Sequence, residues 1–210
     1  MVDPLHAVSH TPRPPLFPWR LVLASASPRR RQLLQGLDLP VEVTHVDMDE
    51  TPPPGLPDEQ VAEHLAREKA KAWTGSLAPD QALVTADTTV LLDDGSGPHL
   101  LNKPLDETDA RRMLALLSGR THRVITGVCI RTTNTMHSFA DVALVTFRSL
   151  SAEEIAYYVR VHQPMDKAGA YGVQDWIGFT AVERIEGSFY TVMGLPMHRV
   201  YLALRELAER

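Results

Sequence analysis

A short apolar run is followed by a polar and basic segment that suits phosphate. Ser25 and Ser27 precede Pro28, and Arg29 and Arg30 come next. Proline favours the first position of a helix, and a helix N-terminus offers backbone N–H groups and partial positive charge to an anion. Paired guanidinium groups match phosphate oxygens, so the segment predicts a ligand with several phosphates. A solvated basic first turn is the alternative interpretation.

One carboxylate interrupts a run that otherwise predicts a buried strand. Asp87 lies in the middle of the β-favouring residues 82–92. A buried carboxylate needs partners. Asp87 could act as a general base for water or bind a metal ion, or it could hydrogen-bond to the adjacent threonines at a strand end. The residues alone leave both interpretations open.

Two lysines stand at unusual places in the pattern. Lys69 takes the helical position where Val61 and Leu65 predict an apolar residue, and Lys103 is followed by Pro104. Each could bind an anion. Lys69 could equally extend its ammonium group from the core edge to solvent, and Lys103 could be an ordinary loop lysine.

Residues 166–174 combine small residues with charged, aromatic and amide side chains. The glycines allow close approach of a flat ligand. Gln174 carries a paired donor and acceptor that could bind the edge of a nucleotide base. A glycine-containing bend between two elements is the alternative interpretation.

Length and charge narrow the classes of protein. The 210 residues suffice for one domain, and a formal charge of -5 argues against a nucleic-acid partner. No apolar stretch approaches the ~20 residues that cross a bilayer, and no targeting segment is recognisable. The single cysteine, Cys129, cannot form an internal disulfide. The sequence therefore predicts a cytoplasmic protein without a membrane anchor.

The pattern predicts an α/β fold with mixed strand directions. Residues 1–19 hold five of the 16 prolines and are expected to form an irregular leader. A capping box of Ser151 and Glu154 should open one helix, and Pro196 should lie near the start of the last. The other predicted elements are strands at 21–24, 41–46, 82–92, 124–130, 139–147, 179–185 and 190–193, and helices from 28, from 58 and over 106–118.

The motifs, in this order, resemble the Maf family of nucleotide pyrophosphatases, and the resemblance covers residues 21–204. The matching segments are Leu-Ala-Ser (23–25), Ser-Pro-Arg-Arg (27–30), Asp-Glu-Thr (49–51), Leu-Ala-Arg-Glu-Lys-Ala (65–70), Ala-Asp-Thr (86–88), Lys-Pro (103–104), Leu-Ser-Gly (117–119), Thr-Gly-Val (126–128), Asp-Lys-Ala-Gly-Ala-Tyr-Gly (166–172) and Val-Met-Gly-Leu-Pro (192–196). The sequence departs from the usual pattern at Asp175-Trp176, where glycine is common.

This resemblance implies a single Maf-like domain over residues 20–210, with a two-lobed fold, a long mixed β-sheet and the active site in the cleft. It implies hydrolysis of nucleoside triphosphates between the α and β phosphorus, with Mg²⁺ or Mn²⁺, by a homodimer. Asp87 matches the proton acceptor of the family, and Glu50 matches an acidic residue that helps to hold the metal. The phosphate-binding positions implied by the resemblance are Ser25, Ser27, Arg30, Lys69 and Lys103.

Three positions indicate the substrate branch. Arg29, Thr88 and Gln174 are the residues expected in the branch that resembles dTTP and UTP pyrophosphatases. The expected role is removal of surplus or non-standard pyrimidine nucleotides. The alternatives are a pyrophosphatase of the 7-methyl-GTP branch and a non-catalytic, nucleotide-binding regulator of septation.

Overall fold

The computed structural model describes residues 18–95 and 97–209. Within them, seven strands form one mixed sheet with helices packed against it. The strands are β1 (Arg20–Ala24), β2 (Val41–Thr44), β3 (Gln81–Asp93), β4 (Pro98–Leu101), β5 (Thr121–Arg131), β6 (Met136–Phe147) and β7 (Val182–Glu186). The helices are α1 (Pro28–Gln35), α2 (Asp58–Ala72), α3 (Glu107–Leu117), α4 (Ala152–His162), α5 (Trp176–Ala181), α6 (Phe189–Met193) and α7 (Met197–Ala208), with a 3₁₀ turn at Ala168–Ala170.

The sheet leaves a gap along one edge of β3. The strand order is β2-β1-β3-β5-β6-β7, with β1 parallel to both neighbours and β5 to β7 antiparallel. β1 pairs with residues 81–84 of β3, and β4 pairs with residues 90–93. Because β5 takes the opposite edge over residues 83–91, β1 and β4 share the remaining edge. Residues 85–89 lie between them, with Asp87 at the centre.

Two hydrophobic cores lie on either side of this gap. One packs β1 and α1 against α7, around Leu23, Leu34 and Leu204. The other packs α3 and α4 against the opposite ends of the strands, around Leu114 and Tyr158. Burial of these apolar side chains stabilises the fold on both sides of the gap. The part of the fold around each core is called a lobe below. The predicted α/β fold with a mixed sheet is confirmed.

Helix α2 lies unusually close to the sheet. Ala62, Ala66 and Ala70 recur every four residues on its inner face and are fully buried. Gly127 of β5 lies beneath the helix, where an added Cβ would lie 2.3 Å from the carbonyl atoms of Ala62. The absent side chain therefore permits this approach, which brings Lys69, the residue that follows Val61 and Leu65 at four-residue spacing, over β3.

The predicted leader falls largely outside the described residues, which include only Pro18 and Trp19 of it. The side chain of Trp19 is buried, and its Nε1–H donates to the backbone oxygen of Leu204 at 2.8 Å. This tryptophan therefore ties the chain entering β1 to α7.

One predicted strand is wrong, and another begins too early. Residues 190–193 lie in α6, and residues 179–181 end α5, so only 182–185 of that prediction are extended. Ser188 Oγ accepts the N–H of Tyr190, and Gly194, with φ of 106°, ends α6. Apolar runs this short do not distinguish a strand from a buried helical turn. The capping box of Ser151 and Glu154 is confirmed.

Among the helices of the described chain, none is both long and apolar enough to cross a bilayer.

His122 is a buried histidine in the lobe that contains α4. It is 1% exposed, and its Nε2 hydrogen-bonds with the hydroxyl of Tyr171 at 2.8 Å. Its Nδ1 has no hydrogen-bond partner among the residues that the structure describes. Burial lowers the pKa of His122 to about 3. The imidazole is therefore neutral in the folded protein at neutral pH.

We expect this histidine to destabilise the fold in mild acid. Between pH 6.5 and 3 the unfolded chain binds a proton at His122 that the folded chain does not, so the free energy of unfolding falls as the pH falls. From pH 7 to pH 5 this contribution should amount to about 2 kcal/mol. Urea unfolding of the wild-type protein and of the His122→Gln variant is measured at both pH values. The difference between the two proteins separates the contribution of His122 from that of the carboxylates. An equal pH-dependent loss in the variant would contradict the assignment.

Candidate active site

A cleft of about 610 Å³ opens over the gap in β3, within the size range of small-molecule sites. All ten candidate site residues line it, although they come from six separate parts of the chain. Their individual roles remain predictions. These residues are Ser25, Ser27, Arg29, Arg30, Glu50, Lys69, Asp87, Thr88, Lys103 and Gln174.

Lys69 joins two carboxylates in the cleft. Its Nζ lies 2.7 Å from Asp87 Oδ1 and 2.8 Å from Glu50 Oε1. The Lys69 and Asp87 side chains are only 11% and 13% exposed. The ammonium group therefore does not extend to solvent, and the buried charge of Asp87 is balanced by a cation. Such pairing is what a buried carboxylate requires.

Glu50 comes from the loop after β2 and is more exposed than Asp87. Its Oε2 lies 3.7 Å from Lys103 Nζ. Partial burial acts to raise the pKa of Glu50, but Lys69, Lys103 and Arg30 outweigh this effect and hold that pKa below its ordinary value. Glu50 is therefore ionised at neutral pH.

The two carboxylates fit a metal that is shared with substrate. Carboxylate oxygens are hard ligands, and Mg²⁺ is usually held by one or two carboxylates together with substrate phosphates. Within the described ranges, no group of three or more His, Cys, Asp or Glu side chains is placed to form a metal site by itself. A metal ion bound by Glu50 and Asp87 would therefore need further ligands, which phosphate oxygens could supply.

Arg30 connects three parts of the cleft wall. Its Nε donates to Gly194 O at 2.8 Å, Nη1 to Ala86 O at 2.9 Å, and Nη2 to Thr88 Oγ1 at 3.1 Å. Burial lowers its pKa, although Asp87 acts in the opposite direction. Nη1 also donates to Ser25 Oγ at 3.4 Å. Because a guanidinium has five N–H donors, these four bonds leave one N–H for a ligand. Arg30 thus fixes α1 against β3 and the end of α6.

A one-directional chain of hydrogen bonds continues from Arg30. Thr126 Oγ1 donates to Thr191 O at 2.8 Å, and Thr88 Oγ1 lies 2.9 Å from Thr126 Oγ1. Each hydroxyl has one proton, so Thr88 must donate to Thr126. Arg30 then donates to Thr88. The chain fixes the hydroxyl orientation of Thr88 and, through it, the plane of Arg30.

An ion pair crosses the cleft from α1 to the segment after α4. Arg29 Nη1 lies 3.1 Å from Asp166 Oδ2, and Lys167 Nζ lies 2.7 Å from Asp166 Oδ1. Partial burial acts to raise the pKa of Asp166, but Lys167 and Arg29 together lower it. The sequence pattern indicated this segment without giving Asp166 a role. An anionic ligand would compete with Asp166 for Arg29.

Gln174 lines the cleft, and its side chain contains an unsatisfied acceptor. Its Oε1 is buried and finds no hydrogen-bond donor in the described part of the chain. Leaving a buried acceptor unpaired costs about 1–3 kcal/mol. A ligand that offers an N–H group at this point would recover that cost.

Charges of both signs line the cleft. Five of the described lining side chains are cationic and four are acidic, so the net charge is slightly positive. The cations match phosphate oxygens, whereas the carboxylates suit a metal ion or a proton transfer. This combination suits a metal-bound polyphosphate better than a free one.

The chain is similar to known proteins over nearly its whole length. The profile of the Maf-like protein family matches residues 20–207. The chain is 50% identical over 190 residues to a dTTP/UTP pyrophosphatase of Phocaeicola vulgatus, which covers 90% of this chain and 96% of the relative. It is 48% identical over 194 residues to the dTTP/UTP pyrophosphatase of Porphyromonas gingivalis (strain ATCC 33277), with 91% and 96% covered. The corresponding protein of Flavobacterium johnsoniae is 43% identical over 189 residues, with 90% and 95% covered.

Proposed function

Because the chain belongs to the Maf-like protein family, we propose that it hydrolyses dTTP and UTP between the α and β phosphorus. The reaction consumes one water and releases dTMP or UMP together with pyrophosphate. The observation that carries this function is the Lys69 ammonium group bound to Asp87 and Glu50 in the cleft. The enzyme acts in the cytoplasm and removes surplus or non-standard pyrimidine nucleotides.

Asp87 is the proposed proton acceptor for the attacking water. Its Oδ1 accepts from Lys69, so Oδ2 receives the proton. Lys69 keeps the carboxylate fixed toward the cleft, and such positioned general bases contribute substantially to a reaction rate. Glu50 and Asp87 would hold a divalent cation, Mg²⁺ or Mn²⁺, together with phosphate oxygens, and a bound cation neutralises phosphate charge and polarises the reacting group.

The phosphates are the proposed ligands of the α1 N-terminus and the surrounding cations. Ser27 is the N-cap of α1 without a side-chain capping bond, which leaves its hydroxyl for a ligand. Arg29, Arg30 and Lys103 supply cations at the cleft, and Lys103 is 61% exposed. Cations at the departing pyrophosphate stabilise the charge that develops there.

Gln174 supports the preference for uracil and thymine. Its buried Oε1 requires a donor, and the N3–H of a uracil or thymine ring supplies one. The N3 of cytosine has no hydrogen, so a cytidine nucleotide would place an acceptor against an acceptor. Sites that hydrogen-bond a ligand group discriminate strongly against analogues that lack it.

Product analysis in ¹⁸O-labelled water tests the function. Purified protein is incubated with Mg²⁺ or Mn²⁺ and, separately, with dTTP, UTP, CTP, GTP and 7-methyl-GTP. We expect dTMP and UMP that carry the label, with unlabelled pyrophosphate, because water attacks the α phosphorus. Preferential turnover of 7-methyl-GTP would overturn the base preference. Nucleotide binding without turnover, in either metal, would favour the non-catalytic regulator.

The resemblance also supports a homodimer as part of this proposal. Light scattering of the purified protein should then give about twice the 23.3 kDa of one chain. A mass of one chain across the concentrations used in the assays would contradict it.

A further inference from the structure

A tight turn carries Gln174 into the cleft. The backbone N–H of Asp175 donates to Gly172 O at 3.0 Å and closes a four-residue turn, in which Gln174 is the third residue. This bond is internal to the turn, so it does not fix the distance between the turn and the cleft wall. Its position depends on contacts with the rest of the fold.

Tyr158 of α4 binds both ends of this turn with one hydroxyl. Its O–H donates to Asp175 Oδ2 at 3.2 Å, and its oxygen accepts the N–H of Gly172 at 3.2 Å. The Tyr158 ring is fully buried and stacks with Trp176 at 6.3 Å between centroids. The hydroxyl is therefore held by a side chain that has no freedom to move with the turn.

The side chain of Asp175 bonds to Tyr158 and does not cap its own helix. It occupies the N-cap position of α5, where an aspartate commonly accepts a backbone N–H, yet its side chain makes no capping bond. The carboxylate points to Tyr158 instead, and its Oδ2 lies 3.6 Å from Lys167 Nζ.

Gly172 leaves the space that this arrangement needs. An added Cβ there would lie 2.4 Å from Asp175 Oδ2 and 3.1 Å from Lys167 Cε. The turn, the carboxylate and the tyrosine hydroxyl are therefore packed as one unit, with no room for a side chain between them.

We infer that Tyr158, together with Asp175, is a positioning residue that sets base discrimination by holding the turn of Gln174 at a fixed depth in the cleft. The inference rests on the proposed function, because Gln174 acts on the base only if a pyrimidine nucleotide is the substrate. Tyr158 does not line the cleft and acts only through the turn. Loss of its hydroxyl frees the turn, so Gln174 no longer presents its acceptor at one place.

The test compares Tyr158→Phe with Tyr157→Phe. The second is a matched control, because Tyr157 is the adjacent tyrosine of the same helix, is 41% exposed and meets Trp176 only edge-on. We measure kcat/KM for dTTP and for dCTP, and inhibition by inorganic tripolyphosphate, which has no base. In Tyr158→Phe the dTTP-to-dCTP ratio should fall about tenfold, as expected for one lost hydrogen-bonded contact. Inhibition by tripolyphosphate should not change, and Tyr157→Phe should behave as wild type.

Asp175→Ala and the double variant complete the experiment. Asp175→Ala should lower the same ratio even if Tyr158→Phe does not fold. In the double variant, Tyr158→Phe with Asp175→Ala, the dTTP-to-dCTP ratio should fall no further than in the more affected single variant, because both changes break the same contact between α4 and the turn. An unchanged ratio in an active Tyr158→Phe enzyme, or equal losses for dTTP and tripolyphosphate, would overturn the inference alone. A wild-type protein that hydrolyses none of the nucleotides would overturn the proposed function and this inference with it.

Discussion

Asp87→Asn should lower kcat for dTTP by roughly 10²- to 10⁴-fold, the usual contribution of a general base. The asparagine amide has the same size and still accepts the hydrogen bond from Lys69, so the cleft keeps its shape. It cannot take the proton of the attacking water. Steady-state kinetics with dTTP and a fixed metal concentration, together with equilibrium binding of dTTP, separate this loss from a loss of affinity. Binding should persist while turnover fails.

Asp93→Asn is the matched control for this variant. Asp93 ends the same strand, is exposed and lies outside the cleft lining. The same amide substitution there should leave kcat unchanged. Wild-type turnover by Asp87→Asn would remove Asp87 from the role of base and turn attention to Glu50, the other carboxylate bound to Lys69.

Gly127→Ala should cause a large loss of stability for a change of a single methyl group. The new Cβ would lie 2.3 Å from backbone atoms of Ala62 and Glu63, and backbone in mid-helix cannot move aside as a side chain can. Helix α2 must shift outward, which should lower the free energy of unfolding by about 3 kcal/mol or more. Gly127 lies opposite Asp87 in the β3–β5 register. The shift should therefore also lengthen the contact from Lys69 to Asp87 and lower turnover in the folded fraction.

Urea unfolding of Gly127→Ala and Gly55→Ala measures the effect. Gly55 has open space around it and φ of 82°, so alanine there tests the backbone cost alone, about 1–2 kcal/mol. If the two variants lose the same stability, the close approach of α2 is not what Gly127 provides.

The sequence pattern predicts most of the elements, and the pattern together with the family resemblance indicates ten of the residues that line the cleft. Lys69 is an example, since it takes a position where the stripe of Val61 and Leu65 requires burial, and the structure buries it. A charged residue in an apolar stripe is informative because it must find a partner. The pattern gives the position but not the partners, since Glu50 and Asp87 come from a loop and a strand on either side of α2.

Contacts between distant segments explain what the sequence does not predict. Arg30 and Gly194 are 164 positions apart in the chain. Tyr158 and Gly172 are separated by only 14 positions, but this separation still exceeds any helix or strand period. The helical period places Tyr158 on the buried face of α4 with Ile155 and Val159, but it does not show which distant groups the Tyr158 hydroxyl meets. The wrong strand at residues 190–193 has a different, local origin, because a five-residue helix depends on its flanking Ser188 and Gly194 and hardly on its own apolar residues.

The turn of Gln174 and its anchor lie close together in the chain. Tyr158 is on α4, the turn follows at residues 172–175 and α5 ends at Ala181, whereas the residues assigned to phosphate and metal all lie between Ser25 and Lys103. On the proposed assignment, the Gln174 contact with the base and the cleavage of the phosphoric anhydride are thus encoded in two separate stretches of the gene, although Arg29 and Thr88, which also indicate the substrate branch, lie in the earlier stretch. Mutation or recombination within the later stretch can change the Gln174 contact while the residues of the chemistry are inherited intact. Related enzymes that accept nucleotides with different bases and share one reaction can arise in this way.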